Sequence, residues 1–208
     1  QINPHFLYNT LDTIRFKAVL NGDVEVAEMI MQLVDFFRFS IGKNSYLVTI
    51  EHEMNLIRAY LELMKYRYPD LKSEFKVDSR LNDIKIPNFV LQPLVENSLM
   101  HGLKFVNYKG KIGVTVKRDP EKEHDIIIEI SDNGIGVASK IQKHFNNSIN
   151  TNNNNEAIAN ETKHIGIRNI QERLELLYSQ GYGICYRDNE EGGVTAVIRL
   201  SEFILVNS

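Results

Sequence analysis

Several features that mark other classes of protein are missing from this chain of 208 residues. Its one cysteine, Cys185, excludes an intrachain disulfide and a zinc site with several cysteine ligands, as is usual in a reducing compartment. Because Cys185 stands in a strand-like run, we expect a buried structural thiol. No stretch approaches the roughly 18 to 20 uncharged apolar residues that cross a bilayer, and no apolar run follows a basic start. We therefore expect these residues to lie in an aqueous compartment.

The numbers of basic and acidic side chains are also nearly balanced. The chain has 24 basic and 27 acidic side chains and a formal net charge of -3, which gives no sign of a polyanion-binding surface. We therefore expect no nucleic acid partner. With 43% hydrophobic residues, the chain is long enough for one ordinary domain and a smaller one. It lacks a Walker-type glycine loop and a complete glycine fingerprint after a strand, so a bound nucleotide must be held in another way.

Two helical patterns open the chain. Between Phe6 and Leu20 the apolar residues recur at spacings of four, three and four, at Leu7, Leu11, Ile14 and Ala18. After a break at 21–23, a second run ends near Gly42 and places on one face Val26, Ile30, Leu33 and Phe37. The pattern predicts a helical hairpin as a first domain, residues 1–44. Because two short helices bury little, we expect this hairpin to pack on a second copy as a four-helix dimer. Packing on the chain's own second domain is the alternative.

The remaining residues, 45–208, are predicted to form a larger domain. Thr49 is a suitable N-cap for a helix that has acidic residues in its first turn and ends before Pro69. A second helix is expected over residues 87–102. Strand-like segments rich in Val and Ile follow at residues 111–117, 125–131, 183–187 and 194–200. The combination predicts an α+β chain whose larger part is a two-layer α/β sandwich with a mostly antiparallel sheet.

A polar tract interrupts the larger domain. From about Ala138 to Ile165 the apolar periodicity is lost and asparagine is frequent, including the run Asn152 to Asn155. Such a sequence cannot pack a core. A loop of this length inside a compact domain is either disordered or a mobile functional lid, and the motifs at its two ends decide between these interpretations.

The first of these motifs follows a strand. Residues 126–130 lead into Asp132-Asn133-Gly134-Ile135-Gly136. Asn-Gly after a strand is typical of a hairpin turn, so an ordinary turn is one interpretation. In the functional interpretation, Asp132 accepts a hydrogen bond from an exocyclic amine, and Gly134 and Gly136 let the backbone approach a planar base.

Two helical segments offer further candidate ligands. The polar tract ends in His164-Ile165-Gly166-Ile167-Arg168-Asn169, which predicts a glycine-led helix start whose free amides favour a phosphate, or simply an ordinary helix start. Upstream, Glu96 and Asn97 lie on a helix, with His101 one turn later. The Asn97 amide oxygen is suited to Mg²⁺, which keeps several waters and the phosphates of a nucleotide as its other ligands.

The order of these elements is more specific than any one of them. An asparagine helix, a strand ending in Asp-x-Gly-x-Gly, a polar lid and a glycine-led helix resemble the nucleotide-binding domain shared by histidine kinases, gyrase, Hsp90 and MutL. Within that superfamily, residues 91–97 with His101 and Gly102, and the opening residues 1–9, closely resemble the LytS/YesM-type sensor histidine kinases. Residues 60–62, 66–68 and 170–174 extend the resemblance over nearly the whole chain.

The resemblance implies an ATP-binding sandwich of the Bergerat type and a set of site residues. His5 would be the phosphoacceptor, with Asn9 and Glu96 as further catalytic candidates, and Asn97 would bind Mg²⁺. Asp132, Gly134 and Gly136 would line the adenine side. The phosphate side and the rest of the ATP site would be formed by His101, Lys104, Gly166, Ile167, Arg168 and Asn169.

His5 requires its own chemistry. A lone histidine on a helix is commonly structural, but an unperturbed imidazole has a pKa of about 6.5 and is largely neutral at cytosolic pH, which leaves one nitrogen free to attack phosphorus. Asn9, one turn on, lies on the same face and is placed to orient the other nitrogen, although a plain surface role is equally compatible with its position. Three departures from the family pattern stand out. His164 replaces a common glycine, Met100 replaces a common lysine whose charge Lys104 is placed to supply, and Phe6 stands where many histidine kinases have an acidic base.

The resemblance also implies a reaction and its partners. His5 would attack the γ-phosphorus of Mg·ATP, and the phosphoryl group would then pass to an aspartate of a response regulator docked on the hairpin. Because His5 and the ATP site lie in different domains, the segment from Asn44 to Val48 would have to permit movement. We further expect the chain to form a homodimer. We also expect it to be part of a longer sensor that is anchored in the bacterial membrane, with these residues on the cytoplasmic side and out of contact with the lipid.

Two other functions remain open from the sequence. The first is an ATPase of the gyrase or Hsp90 kind, in which a glutamate one helical turn before the asparagine activates water. Here Pro93 holds that place, and Glu96 points to another side of the helix. The second is a nucleotide-binding signalling module without kinase activity, which the departures at Met100 and His164 suggest.

Overall fold

A computed structural model describes residues 4–41, 45–136, 158–178, 181–189 and 192–204, with the backbone alone for 158–165. The predicted hairpin is present as α1, Pro4–Leu20, and α2, Val24–Ile41. The turn between them contains Gly22, whose φ of 80° is the left-handed conformation that glycine adopts without strain. No helix in the described ranges is long and apolar enough to cross a membrane.

The hairpin buries little of its apolar surface. Only Leu11, Ala18, Ala27 and Ile30 are buried, whereas large side chains such as Phe6, Phe16 and Leu20 are exposed. One face of α2 packs on the next helix of the same chain, where the rings of Phe36 and Tyr60 lie 6.0 Å apart. The structure therefore offers a surface both for packing on a second copy and for packing on the rest of the same chain. The second domain covers part of α2, and an exposed apolar surface remains on α1.

The helix that opens the larger domain is α3, Ile50–Arg67, and its start follows the prediction. The Thr49 side chain accepts a hydrogen bond from the His52 amide at 3.2 Å, which satisfies one of the unpaired donors of the first turn. The short strand β1, Leu47–Thr49, precedes the helix. The segment expected to permit movement, Asn44 to Val48, ends in this strand, where Val48 is buried and paired with Ile86. Residues 42–44 lie outside the described part of the chain.

A five-stranded sheet forms the second layer. Its strands are β2, Lys72–Val77; β4, Lys111–Arg118; β5, Asp125–Asp132; β6, Gly183–Asp188; and β7, Val194–Ser201. The order is β2-β4-β5-β7-β6, and only the β2–β4 pair is parallel. The four predicted strands are confirmed, each with a C-terminal end one residue beyond the prediction. Strand β2 was not predicted, because its sequence Lys-Ser-Glu-Phe-Lys-Val contains few of the residues that favour strands.

The two faces of the sheet differ. Alternate residues such as Ile126, Ile128 and Ile130 are fully buried against the helices. The opposite face has charged side chains, among them Glu129, which accepts hydrogen bonds from Lys117 at 3.2 Å and Arg187 at 2.9 Å. The expectation of a buried Cys185 is wrong. Its neighbours Ile184 and Tyr186 point into the core, so alternation along β6 leaves Cys185 exposed.

The second helix of the larger domain begins later than predicted. Pro87 ends the strand β3, Lys85–Pro87, which pairs with β1, and the helix α4 extends over Gln92–Asn97. The intervening turn contains Phe89 at a φ of 58°, a left-handed conformation that an α-helix excludes. After α4 the chain continues as a π-helical turn, Ser98–Leu103, and a 3₁₀ turn, Lys104–Val106.

A buried carboxylate on α3 holds this turn in place. The Glu53 carboxylate accepts hydrogen bonds from the amides of Phe89 at 2.7 Å, Val90 at 3.0 Å and Leu91 at 2.9 Å. Burial raises the pKa of Glu53, and the three amide donors oppose that shift in part. Glu53 therefore satisfies three backbone donors at the start of α4.

Glu53→Gln should destabilise the fold by roughly 2 to 3 kcal/mol, because a glutamine side chain has one acceptor oxygen and brings its own donor into a site that already contains three donors. Urea unfolding followed by circular dichroism measures the effect. Glu51→Gln is the matched control, since Glu51 is in the same helical turn and is exposed. Equal unfolding midpoints for the two variants would contradict the role given to Glu53.

Candidate functional site

Asp132, at the end of β5, is the buried polar centre of the site. Its side chain is 3% exposed, and its Oδ1 accepts hydrogen bonds from the Gly134 amide at 3.0 Å and the Val194 amide at 3.4 Å. Burial raises the pKa of Asp132, while hydrogen bonds from Gly134, from the Ser98 hydroxyl and from Val194 lower it. A carboxylate held in this way has a fixed orientation at the rim of the sheet.

Glycines let three backbone segments meet at Asp132. A Cβ on Gly102 would lie 2.6 Å from the Asp132 Cγ, and one on Gly134 would lie 2.1 Å from the Gly102 carbonyl oxygen. The end of the π-helical turn and the residues after β5 are therefore in direct contact. Strand β5 pairs with β4 on one side and with β7 on the other, so neither edge is free for a strand that returns directly from the Asn-Gly pair as a two-residue hairpin.

The structure adds two glycines and an asparagine that sequence reasoning missed. Gly193 has a φ of 86°, and a Cβ there would lie 2.1 Å from the Asp132 carbonyl oxygen. The Asn189 side chain donates a hydrogen bond to the same oxygen at 3.0 Å. Gly136 packs against Gly193, and Gly192 lies close to Gly134. The consecutive glycines before β7 were the available signal, but they are equally typical of an ordinary turn between β6 and β7.

Asn97 and His101 lie on the segment that contacts Asp132. Asn97 is half-buried at the end of α4, and His101 and Lys104 are exposed on the turns that follow. Among the described residues no cluster of three or more acidic, histidine or cysteine side chains is arranged to hold a metal ion. A metal at Asn97 would therefore depend on oxygen ligands from a bound phosphate and from water.

Glu96 faces away from this contact and towards α3. Its carboxylate accepts a hydrogen bond from the Gln92 side chain at 2.8 Å. The pKa of Tyr60 on α3 is raised, first by burial and then by the nearby charge of Glu96. The sequence had placed Glu96 on a different side of the helix from the position that activates water in the ATPases, and the contacts with Gln92 and Tyr60 agree with that placement.

The helix that contains Gly166 begins earlier than predicted. This helix, α5, extends over Ile158–Tyr178, so Gly166 lies inside it and its amide is not one of the free donors of the first turn. The expectation of a helix start at Gly166 is therefore wrong. The sequence before it is compatible with a helix, and one internal glycine costs only about 1 kcal/mol. The expected lid is consequently helical over 158–165, while 138–157 lies outside the described residues.

Gly166 is nevertheless placed near the asparagine helix. A Cβ on Gly166 would lie 4.0 Å from the Cβ of Pro93, in the first turn of α4. Ile167 is buried and holds α5 to the core, whereas Asn169 is exposed and Arg168 forms an ion pair with Glu172 at 2.9 Å. The structure thus brings together segments from β5, α4 and α5, as their order in the sequence suggested.

His5 and Asn9 lie on a different part of the molecule. Both are exposed on α1, which packs on α2. The preceding motif residues, 1–3, lie outside the described part of the chain. The predicted phosphoacceptor therefore lies on α1, whereas the predicted nucleotide-binding residues lie on or next to α4, β5 and α5.

Comparison with known proteins gives two family matches. Residues 83–203 match the family of histidine kinase-, DNA gyrase B- and HSP90-like ATPases, and residues 1–72 match the histidine kinase family. The sensor histidine kinase YesM of Bacillus subtilis is 29% identical over 96% of this chain and 32% of its own length. The sensor protein LytS of Oceanobacillus iheyensis is 32% identical over 95% of this chain and 33% of its own length. The chain thus spans about a third of these relatives.

Solved structures confirm the predicted fold. The catalytic domain of the histidine kinase ThkA aligns with a TM-score of 0.53 at 15% identity, over 76% of this chain and 97% of that domain. Full-length ShkA in complex with AMPPNP aligns with a TM-score of 0.52 at 14% identity, over 98% of this chain and 46% of that one. The helical hairpin followed by a two-layer sandwich is therefore the architecture of histidine kinase catalytic cores.

Gly193→Ala should destabilise the protein more than Gly22→Ala. Both glycines have nearly the same φ, 86° and 80°, so an alanine meets a similar left-handed strain of roughly 1 kcal/mol at each position. No atom lies within 4 Å of a Cβ at Gly22, whereas a Cβ at Gly193 would overlap the Asp132 carbonyl. Urea unfolding should show a further loss of about 1 kcal/mol or more at Gly193, by the usual range for overpacking. Equal losses would mean that β7 shifts freely away from Asp132.

Proposed function

Since this chain belongs to the histidine kinase-, DNA gyrase B- and HSP90-like ATPases, and among them to the LytS/YesM-type sensor histidine kinases, we propose that it uses Mg·ATP to phosphorylate its own His5. The observation that carries this proposal is the buried Asp132 carboxylate, enclosed by the backbone of Gly102, Gly134 and Gly193. The chain spans only about a third of its relatives, so the proposal concerns the reaction of this core.

The adenine of ATP would bind at Asp132. Its exocyclic amine would donate a hydrogen bond to the carboxylate, which distinguishes adenine from guanine, because guanine has a carbonyl oxygen at that position. The glycines around Asp132 let the neighbouring backbone segments close on its carboxylate and hold it at the adenine side. His101, one residue before Gly102, is exposed beside this surface. The fold neighbour ShkA was solved with an ATP analogue, which supports the choice of nucleotide.

The phosphates would lie towards Asn97 and α5. We assign Mg²⁺ to the Asn97 amide oxygen, with the phosphates and water as its other ligands. Lys104, Arg168 and Asn169 are exposed and would supply donors, and Gly166 and Ile167 form the backbone of the phosphate side. Because Gly166 lies inside α5, the first part of that helix would have to unwind before the Gly166 amide reached a phosphate.

The chemical step would be an in-line transfer. The lone pair of one His5 nitrogen attacks the γ-phosphorus, an N–P bond forms, and the bond from that phosphorus to the β,γ-bridging oxygen breaks to release ADP. The proton on the other ring nitrogen then leaves to a base. We assign Asn9 to orient that nitrogen and keep Glu96 as a further catalytic candidate. Catalysis of this kind depends mainly on position and charge stabilisation, so the hairpin must move towards the ATP site.

The later steps would use the surface of the hairpin. Apolar side chains exposed on α1 and α2, including Phe16, Leu20 and Met31, would be covered in a homodimer. A response regulator would dock on the same hairpin and accept the phosphoryl group on an aspartate.

Two alternatives are weaker. An ATPase of the gyrase or Hsp90 kind would need a glutamate one turn before Asn97, where Pro93 stands, and Glu96 is held by Gln92 on the α3 side. A nucleotide-binding module without kinase activity is favoured by Met100, which is 45% exposed where the family often has lysine. The labelling experiment below separates this module from a kinase.

Asp132→Asn should weaken ATP binding at least tenfold, because the amide presents a donor to the adenine amine in place of an acceptor. Isothermal titration calorimetry with Mg·ATP measures the change. Asp83→Asn is the control, since Asp83 is exposed and the variant has the same change of charge. Unchanged affinity in Asp132→Asn would show that adenine binds elsewhere.

Incubation with γ-labelled ATP should label His5 with a phosphoramidate that is lost in acid and survives alkali. His5→Gln should abolish the label while ATP affinity stays within about threefold of the wild type, because His5 lies outside the nucleotide site. His124→Gln is the control, since His124 is also exposed but lies between β4 and β5. Labelling that persists in His5→Gln, or a product stable to acid, would refute the phosphoacceptor.

A further inference from the structure

The turn of residues 89–91 is a meeting point of three helices. On one side, Glu53 of α3 accepts hydrogen bonds from all three of its amides. On its C-terminal side the turn leads directly into α4, which ends at Asn97. On the third side, Arg173 of α5 donates a hydrogen bond from its Nη2 to the Phe89 carbonyl oxygen at 3.5 Å. The turn is therefore held from α3 and from α5 at once.

Arg173 lies on the helix that contains the phosphate-side residues. It follows Gly166 by seven residues, about 10 Å along an α-helix, so that both side-chain positions lie on nearly the same face. Gly166 lies opposite Pro93, and Arg173 reaches Phe89. One face of α5 thus lies next to the start of α4, and the described hydrogen bond between the two segments is the one from Arg173.

Stability of the fold does not by itself account for an arginine here. Its Nε is buried and has no hydrogen-bond partner among the residues that the structure describes, and its one assigned bond is long. The hydrogen bonds of Arg173 therefore add little to the stability of the fold. Its positive charge contributes to lowering the pKa of Glu53, after the three backbone amides. An arginine that reaches from α5 to the Phe89 carbonyl oxygen is better suited to fixing the register of these two segments.

We propose that Arg173 is a positioning residue for phosphoryl transfer, which holds α5 against the Phe89 turn and thereby sets the spacing between the phosphate side at Gly166 and the metal side at Asn97. This inference rests on the function proposed above. The inference predicts that Arg173 affects the phosphate end of the ATP site and not the adenine end. Asp132 and its glycines are held by β5, β7 and the π-helical turn, and Arg173 contacts none of these elements in the hydrogen bonds described.

Three variants test the assignment. Arg173→Gln removes the charge and the forked donors. Arg173→Lys keeps a positive charge and a donor but replaces the fork with a single ammonium group, so it should recover part of the loss. Arg199→Gln is the matched control, because Arg199 is an exposed arginine on the charged face of β7. The rate of His5 labelling at saturating Mg·ATP is the first measurement, and calorimetry with Mg·ATP and with adenosine is the second.

Arg173→Gln should lower the maximal labelling rate tenfold or more, because misplacement of the phosphates relative to the metal affects the transition state more than binding. In this variant the affinity for Mg·ATP should fall, whereas the affinity for adenosine should stay within twofold of the wild-type value. Arg173→Lys should recover at least a third of the decrease in the logarithm of the maximal labelling rate. Arg199→Gln should have the same rate as the wild type.

Two results would overturn the inference. A labelling rate within twofold of the wild type in Arg173→Gln would show that α5 is positioned without Arg173. A parallel loss of adenosine affinity, Mg·ATP affinity and melting temperature would show that Arg173 serves the fold as a whole. Failure of the function proposed above is distinguishable from both, because the wild-type chain would then show no labelling of His5 before any variant is compared.

Discussion

The hydrogen bonds from the Phe89, Val90 and Leu91 amides to Glu53 determine where the rest of the site lies. They fix the start of α4 on α3, and a helix fixed at its start has the positions of its later residues fixed as well. Asn97 follows at the end of α4, and Gly102 follows at the end of the π-helical turn, in contact with Asp132. The position of Asp132 at the site is therefore linked, through α4 and the π-helical turn, to the position of Glu53 in the core.

Both buried acids are held mainly by backbone amides. Glu53 has three amide donors, and Asp132 has the amides of Gly134 and Val194 with the hydroxyl of Ser98. Amide donors belong to the main chain and cannot swing away as a lysine side chain does, so they define a carboxylate orientation tightly. An acid at Asp132 that is oriented in advance loses little freedom when a ligand donates to it.

Most of the fold followed from local sequence signals. The periodicity of α1 and α2, the Thr49 cap and the Val/Ile-rich strands depend on residues close in sequence, and the structure confirms them. Two of the errors, the start of α4 and the missed role of Gly193, came from contacts made over long sequence separations. Glu53 looked like an ordinary acid in a first helical turn, because its partners lie 36 to 38 residues away. The helix start at Gln92 and the role of Gly193 depend on the same kind of contact, with Glu53 and with Asp132.

The π-helical turn after Asn97 makes the backbone geometry of this segment matter as much as the identity of its residues. A π-helix carries one more residue per hydrogen-bonded turn than an α-helix does, so each residue advances by a smaller angle around the axis. If Ser98–Leu103 took up α-helical geometry with every residue kept, each residue would advance by about 100°. Asn97 would stay where it is, while Gly102 would rotate away from Asp132. The contact between Gly102 and Asp132 therefore depends on the wider hydrogen-bonded turn that precedes it.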